Sequence, residues 1–328
     1  MHPPLRTATA TLTLLLACGG DPGDTTDTTD STGPAGSTGA EPTTSAAPTT
    51  TPEPTTTTTP DPTTTTTTTP DPTADPTTTT ADPSDPTATT GPPATGCADL
   101  PLCEDFEAAA VAGPPDPATW TVTSPNCSGT GTLAVADDQA HSGARALRIA
   151  GGGGYCDHVF IAHSAAIKAV GPQVYGRFWL RLDAALGPGH VTFMTLRDSN
   201  DAGGKDLRMG GQSQILMWNR ESDDATLPSL SPAGIALSLA PTPQQWTCVE
   251  FMIDQDSAEL RTWIDGSELA GLVVDAEPTP DVDQQWHNKP DWKPVLEDIK
   301  LGWESYAGQT MVLHVDDIAL ASARIGCD

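Results

Sequence analysis

From residue 97 onward, hydrophobic and polar residues alternate in short runs separated by Gly, Pro and Asp. The clearest run is Val174 to Leu182. Val174, Phe178, Leu180 and Leu182 fall on one face, and Tyr175, Arg177, Trp179 and Arg181 on the other. A period of two is the signature of a strand with one buried face. Similar runs span His190 to Leu196, Gln212 to Trp218, Trp246 to Ile253, Glu259 to Ile264 and Met311 to Leu320. In the run Gln212 to Trp218 alternation predicts that Gln212, Gln214, Leu216 and Trp218 share a face. Asp265-Gly266 follows Trp263-Ile264 and reads as a tight hairpin turn. No long stretch shows a period of 3.6, so many short strands with Gly/Pro turns predict an all-β antiparallel sandwich of the jelly-roll kind.

Residues 19 to 96 show no such pattern. They repeat Thr-Thr-Thr-Pro-Asp-Pro with small variations and contain 11 acidic residues, no Lys or Arg, and no aromatic residue. Proline removes backbone donors and fixes φ, so this tract predicts an extended, disordered linker. At about 3 Å per residue it could reach on the order of 200 Å. All eight Trp lie beyond it, in the segment 97–328, which carries 32 acidic and 14 basic residues, a local charge of −18 within the chain's −28. This balance argues against nucleic acid as a partner, because that class needs a clustered basic face.

The chain opens with Arg6 and a short apolar run, Ala8 to Leu16, too brief to cross a bilayer and suited to a secretory signal. It ends Leu15-Leu16-Ala17-Cys18, which resembles the bacterial lipoprotein box. That resemblance implies a signal over residues 1–17, lipidation of Cys18, a linker over 18–96, and anchoring by acyl chains to the outer membrane at the cell surface. The membrane is then reached through the lipid alone, and the tether makes a monomer sufficient. The remaining cysteines, Cys97, Cys103, Cys127, Cys156, Cys248 and Cys327, are even in number, as expected outside the cytoplasm. Spacing alone leaves their connectivity open. The expected pairs are Cys97 with Cys103, Cys127 with Cys156, and Cys248 with Cys327, the last fastening the C-terminus to a central strand.

Gly203-Gly204-Lys205-Asp206-Leu207-Arg208-Met209-Gly210-Gly211-Gln212-Ser213-Gln214, followed by Asn219-Arg220-Glu221-Ser222-Asp223-Asp224-Ala225-Thr226-Leu227-Pro228, resembles the core domain of the fungal cellulose-induced secreted protein family. The likeness extends to Asp105-Phe106-Glu107, Ala140-His141-Ser142-Gly143, Gly154-Tyr155-Cys156, His190-Val191-Thr192-Phe193, Gly302-Trp303-Glu304 and Asp316-Asp317-Ile318, and so covers nearly all of residues 97–328. It implies a concanavalin-like jelly roll related in shape to polysaccharide lyases acting on glucuronan and alginate. It also implies a bound Ca2+ held by the carboxylates of Glu107 and Asp316 and the backbone carbonyls of Ser142 and Arg145. Calcium prefers such hard oxygen donors. Here the ion would join the two ends of the folded segment.

The resemblance further implies that Arg208, Gln212 and Asp224 line a cleft. A lyase acting on a uronic-acid polymer must neutralise the sugar carboxylate, take the adjacent C–H proton and protonate the departing oxygen. Arg208 and Gln212 suit the first task; Asp206 and Asp224 join them as candidate catalytic groups. Alginate lyases carry Gln-x-His where this chain has Gln212-Ser213-Gln214, so the base is open among His190, Lys205 and Tyr175. A hydrolase would instead pair Asp224 with Glu221 or Asp206. Aromatic and polar side chains opposite a core face suit sugar binding, which nominates Tyr175, Arg177, Trp179, His190 and Gln214 as substrate contacts. The expected function is a surface-anchored domain acting on plant, fungal or algal polysaccharide, with a non-catalytic carbohydrate-binding module as the alternative.

Overall fold

A computed structural model describes residues 99–328. The signal segment, Cys18, the linker and Cys97 lie outside the described residues, and with them the Cys97–Cys103 pairing. The described chain forms fifteen strands: β1 Leu102–Glu104, β2 Thr121–Thr123, β3 Thr132–Ala136, β4 Ala146–Gly151, β5 Val159–His163, β6 Gln173–Leu182, β7 Val191–Asp198, β8 Lys205–Gln212, β9 Ile215–Arg220, β10 Ala225–Leu227, β11 Trp246–Asp254, β12 Leu260–Ile264, β13 Ser267–Val274, β14 Ile299–Ser305 and β15 Met311–Ala321. The alternating runs become strands because one set of side chains can be buried while the other remains on a polar face. On β6 the pattern is complete, with Val174, Phe178, Leu180 and Leu182 buried and Tyr175, Arg177, Trp179 and Arg181 half-buried.

The strands pair antiparallel in two sheets. Sheet A runs β13-β12-β11-β6-β15-β4-β3, with β1 also paired to β15; sheet B runs β10-β9-β8-β7-β14-β5-β2. The core lies between them. Phe178 of sheet A meets Phe193 of sheet B edge-on at 6.3 Å, and Phe251 meets Trp218 at 5.9 Å. The Trp218 indole N–H, sealed in this core, donates to Thr262 Oγ1 at 2.9 Å. Each such large side chain taken from water contributes roughly 2–3 kcal/mol. The result is the expected all-β jelly-roll sandwich.

Among the described residues, two disulfides tie loops to this frame. Cys248, in the middle of β11, bonds Cys327 and fastens the C-terminal tail across sheet A. Cys127 bonds Cys156 and fixes the loop that carries Tyr155. Asp265 and Gly266, with φ of 49° and 80°, form the expected two-residue hairpin between β12 and β13.

The expectation for Gln212 to Trp218 is corrected. This run is a hairpin, with Ser213 and Gln214 as its turn at φ of 54° and 66°. Gln212 lies opposite Ile215 in the register. Directly paired residues share a face, so Gln212 faces outward with Ile215, Met217 and Asn219, whereas Leu216 and Trp218 enter the core. The two-residue turn inverts the parity that unbroken alternation would preserve. Gln214 therefore sits exposed in the turn and is not a strand neighbour of Gln212.

Candidate functional site on the outer face of sheet B

The register of sheet B lays its outward side chains in rows. Lys300, Thr195, Arg208 and Asn219 lie side by side across β14, β7, β8 and β9. The next row is Glu304, Thr192, Gly210 and Met217. A side chain at Gly210 would collide with the Val191 carbonyl, so this position must remain a bare backbone floor. Asp206, Arg208 and Gln212 are brought onto this face by the alternation of β8, and Asp224 occupies the turn between β9 and β10 at a positive φ of 53°.

Several buried polar atoms on this floor have no protein partner: Thr192 Oγ1, Thr195 Oγ1 and Asn219 Oδ1. These residues are 0%, 4% and 2% exposed. Buried hydroxyls and amides are normally hydrogen-bonded, so such a concentration marks a surface built to receive a polar ligand. His158 borders the same floor. Its Nε2 faces the Pro125 carbonyl at 2.9 Å, while Nδ1 lies 3.2 Å from Glu304 Oε2 without hydrogen-bond alignment.

An aromatic rim stands beside the rows. The Tyr306 N–H donates to the His190 carbonyl, which prolongs the β14–β7 pairing and stacks the His190 ring on Tyr306 at 5.2 Å. Tyr155 packs 5.3 Å from Tyr306, and the Arg208 guanidinium lies 5.3 Å from the Tyr306 ring. Both tyrosines remain over 40% exposed, which leaves ring surface for a ligand. Burial, helped by the Arg208 charge, draws His190 down to about 4, so its ring is neutral at neutral pH. Burial and a hydrogen bond to Glu304 push the Tyr306 phenol upward. Burial also raises the Asp206 carboxyl, against the opposing pull of Lys300.

Arg208 Nη2 lies 2.8 Å from Glu221 Oε1, and Lys205 Nζ donates to the same oxygen at 3.1 Å. Lys300 pairs with Asp298 at 2.8 Å and with Asp206 at 3.5 Å.

Tyr175, Arg177 and Trp179 do not belong to this face. They project from β6 on the outer side of sheet A, across the core from Arg208, because their strand pairs within the other sheet. There the Trp179 ring is covered by His141 at 3.5 Å, and Arg177 donates to the Asp317 and Gly326 carbonyls. The structure thus separates them from Asp206, Arg208, Gln212 and His190, and removes Tyr175 as a base for that cleft. Tyr155, His158, Thr192, Thr195, Asn219, Glu304 and Tyr306 were not among the candidate site residues of the sequence, although Tyr155, Thr192, Asn219 and Glu304 lie in the motifs that carry the resemblance. Lys300-x-Gly302-x-Glu304, alternating with the apolar Leu301 and Trp303, was the available signal for one edge.

The acidic residues at the chain ends form a second locality. Asp316, wholly buried in β15, accepts the N–H groups of His141 and Ser142 at 2.8 and 3.3 Å. Glu107 Oε1 accepts those of Ala144 and Arg145, both at 2.7 Å. One loop, residues 141–145, therefore rests on both carboxylates. Gly143, at φ 61°, lies so close to Glu107 that a Cβ would strike its carboxylate. No Lys or Arg pairs with Asp316 among the described residues, and burial with the neighbouring Asp317 raises it to about 7. A buried carboxylate without a Lys or Arg partner, tied through one loop to a second carboxylate, supplies hard oxygen donors of the kind a hard cation takes.

A family model for the polysaccharide-lyase-like, Cip1-like core domain matches residues 106–323. The chain belongs to this family. A solved structure of the cellulose-induced protein Cip1 is 38% identical, covers 69% of this chain and 100% of its own, and superposes with a TM-score of 0.63. An endo-β-1,4-glucuronan lyase from the fungus Trichoderma reesei is 13% identical, covering 68% of this chain and 96% of its own at a TM-score of 0.45. No curated protein sequence matches the chain. Membership in the Cip1-like family supports a carbohydrate-active role.

Proposed function

We propose that the outer face of sheet B binds polysaccharide and cleaves a uronic-acid-bearing chain by β-elimination. The observation that carries this reading is the row Lys300–Thr195–Arg208–Asn219, whose buried hydroxyl and amide oxygens lack partners beside an exposed Tyr155–Tyr306 rim. Sugar hydroxyls would meet the floor and a sugar ring would stack on the tyrosines. Arg208, with Gln212, would hold the uronate carboxylate and stabilise the anion that develops beside it. His190, neutral at neutral pH, would take the C5 proton. The C5–H electron pair then forms the C4=C5 double bond as the C4–O bond breaks. The Tyr306 hydroxyl would protonate the departing oxygen. Asp206 and Asp224 flank this centre and tune its charge.

Incubation with glucuronan, alginate and pectin tests this reading through the near-ultraviolet absorbance of unsaturated uronate ends. Flat traces across all three would remove the lyase reading. Retention on insoluble polysaccharide would then support the binding module, which the exposed turn position of Gln214, in place of a strand-borne His, also favours.

We further propose that Glu107 and Asp316, with the carbonyls of Ser142 and Arg145, hold a structural Ca2+, and that acylated Cys18 and the linker display the domain at the outer cell surface. The ion would offset the charge buried at Asp316 and clamp the first and last strands of sheet A. EDTA should lower the melting temperature by several degrees and added calcium should restore it; an unchanged midpoint would count against the ion.

A further inference from the structure

Every Lys and Arg on the outer face of sheet B is already paired with a carboxylate. Lys205 and Arg208 share Glu221, Lys300 holds Asp298 and Asp206, and Arg197 pairs with Glu297. With Glu304 and Asp224 added, the face carries more negative than positive charge. A polyanionic glycan entering it meets no free cation, and the domain's overall charge of −18 repels it at longer range. Binding a glycan carboxylate at Arg208 therefore requires an exchange of partners.

The geometry makes that exchange feasible. The register places Leu207 opposite Arg220, so Glu221 emerges beside Asp206 at the end of the row. Its Oε2 accepts the Asp206 N–H at 2.9 Å, while Oε1 faces Lys205 and Arg208. Losing Arg208 would still leave Glu221 with the backbone N–H and the Lys205 ammonium. Arg208 is only 12% exposed, so its ion pair is shielded from water and matters more than a surface pair would. Burial alone would raise the Glu221 carboxyl, but the Asp206 N–H, Arg208 and Lys205 together hold it below the usual range.

We propose that Glu221 is the resident counter-ion of the groove, standing where a glycan carboxylate will stand and yielding Arg208 on binding, so that it sets discrimination between charged and neutral sugar chains. This rests on the reading of the sheet B face as the glycan site. The test compares the affinity of an oligoglucuronate with that of its carboxyl-reduced, neutral counterpart. Glu221→Gln keeps the shape and the acceptor for the Asp206 N–H but removes the charge. It should raise the charged-to-neutral affinity ratio roughly tenfold. A ratio that stays the same or falls, with the wild type still binding the charged chain, overturns this inference and leaves the glycan site standing. Failure of both chains to bind wild type and variant alike overturns the glycan site, and this inference with it. A crystal of the wild type with the oligoglucuronate decides the matter without any variant. Arg208 on the glycan carboxylate, with Glu221 left to Lys205, supports the exchange; Arg208 still on Glu221 with the glycan carboxylate elsewhere refutes it.

Discussion

The outer faces of the two sheets look alike in composition: each carries arginine, aromatic and acidic side chains. Apart from His314 on sheet A, whose two ring nitrogens are buried without hydrogen bonds, they differ in what those side chains have left to do. On sheet A, Glu250 is 2% exposed and takes Arg324 at 2.8 Å and the Gly326 N–H at 2.8 Å. Arg324 lies over Trp263 at 4.6 Å, His141 lies over Trp179, and Arg177 is spent on two backbone carbonyls. The C-terminal tail, pinned by Cys248–Cys327, supplies much of this cover. On sheet B the floor oxygens are unpaired and two tyrosines stand open. A face becomes a candidate site through unmet bonding capacity, and the residue types on it do not decide the matter.

The largest effect that tests this contrast should fall on sheet A. Replacing Cys248 and Cys327 together by Ser opens a connection spanning 79 residues and should cost about 2–5 kcal/mol in urea unfolding. Glycan affinity should stay unchanged at temperatures where the variant is folded; a parallel loss of binding would mean that the tail-covered face is the glycan site. Next in size, Arg208→Ala should weaken binding of an acidic oligosaccharide about tenfold or more in calorimetry. Arg177→Ala should leave that affinity unaltered and cost only about 1 kcal/mol of stability. Equal losses from the two would erase the distinction between the faces.

A smaller change is expected at the rim. Tyr155→Ala or Tyr306→Ala should reduce affinity roughly 2- to 10-fold, the scale of one aromatic contact, whereas Tyr175→Ala should have no effect on it. The last effect concerns acid and is read in stability, not in affinity. The folded state holds His190 near 4, below its ordinary 6.5, so the unfolded chain takes up a proton first as pH falls. Stability should therefore decline from pH 6.5 toward 4 through this residue, and be unaffected by it above that window. Melting curves across this range should be flatter for His190→Gln; an identical slope would show that the ring is not buried against Tyr306 and Arg208.

Much of the architecture was legible in the chain. The period of two along Val174–Leu182 and Met311–Leu320 and the Asp265-Gly266 turn follow from local rules; the expected Cys127–Cys156 and Cys248–Cys327 pairs are present, but spacing alone left their connectivity open. The alternation of β8 likewise put Asp206, Arg208 and Gln212 on one face. Gln214 was misplaced because a two-residue turn at Ser213-Gln214 inverts side-chain parity, and neither residue is the glycine that usually marks such a turn.

What residue order determined, then, was which side chains leave the core, since that depends only on neighbours within one strand. It could not determine which of the two outer faces they join, because strands distant in sequence, β14 and β7 or β6 and β15, become neighbours only in the folded sandwich. Nor could it show which polar groups end without a partner. Trp179 and Arg177 resemble sugar contacts in the chain and are satisfied in the fold. Thr192, Thr195 and Asn219 carry no site signal of their own in the chain, and burial in the rows beside Arg208 with side-chain oxygens left without hydrogen bonds is what makes them a receptive surface.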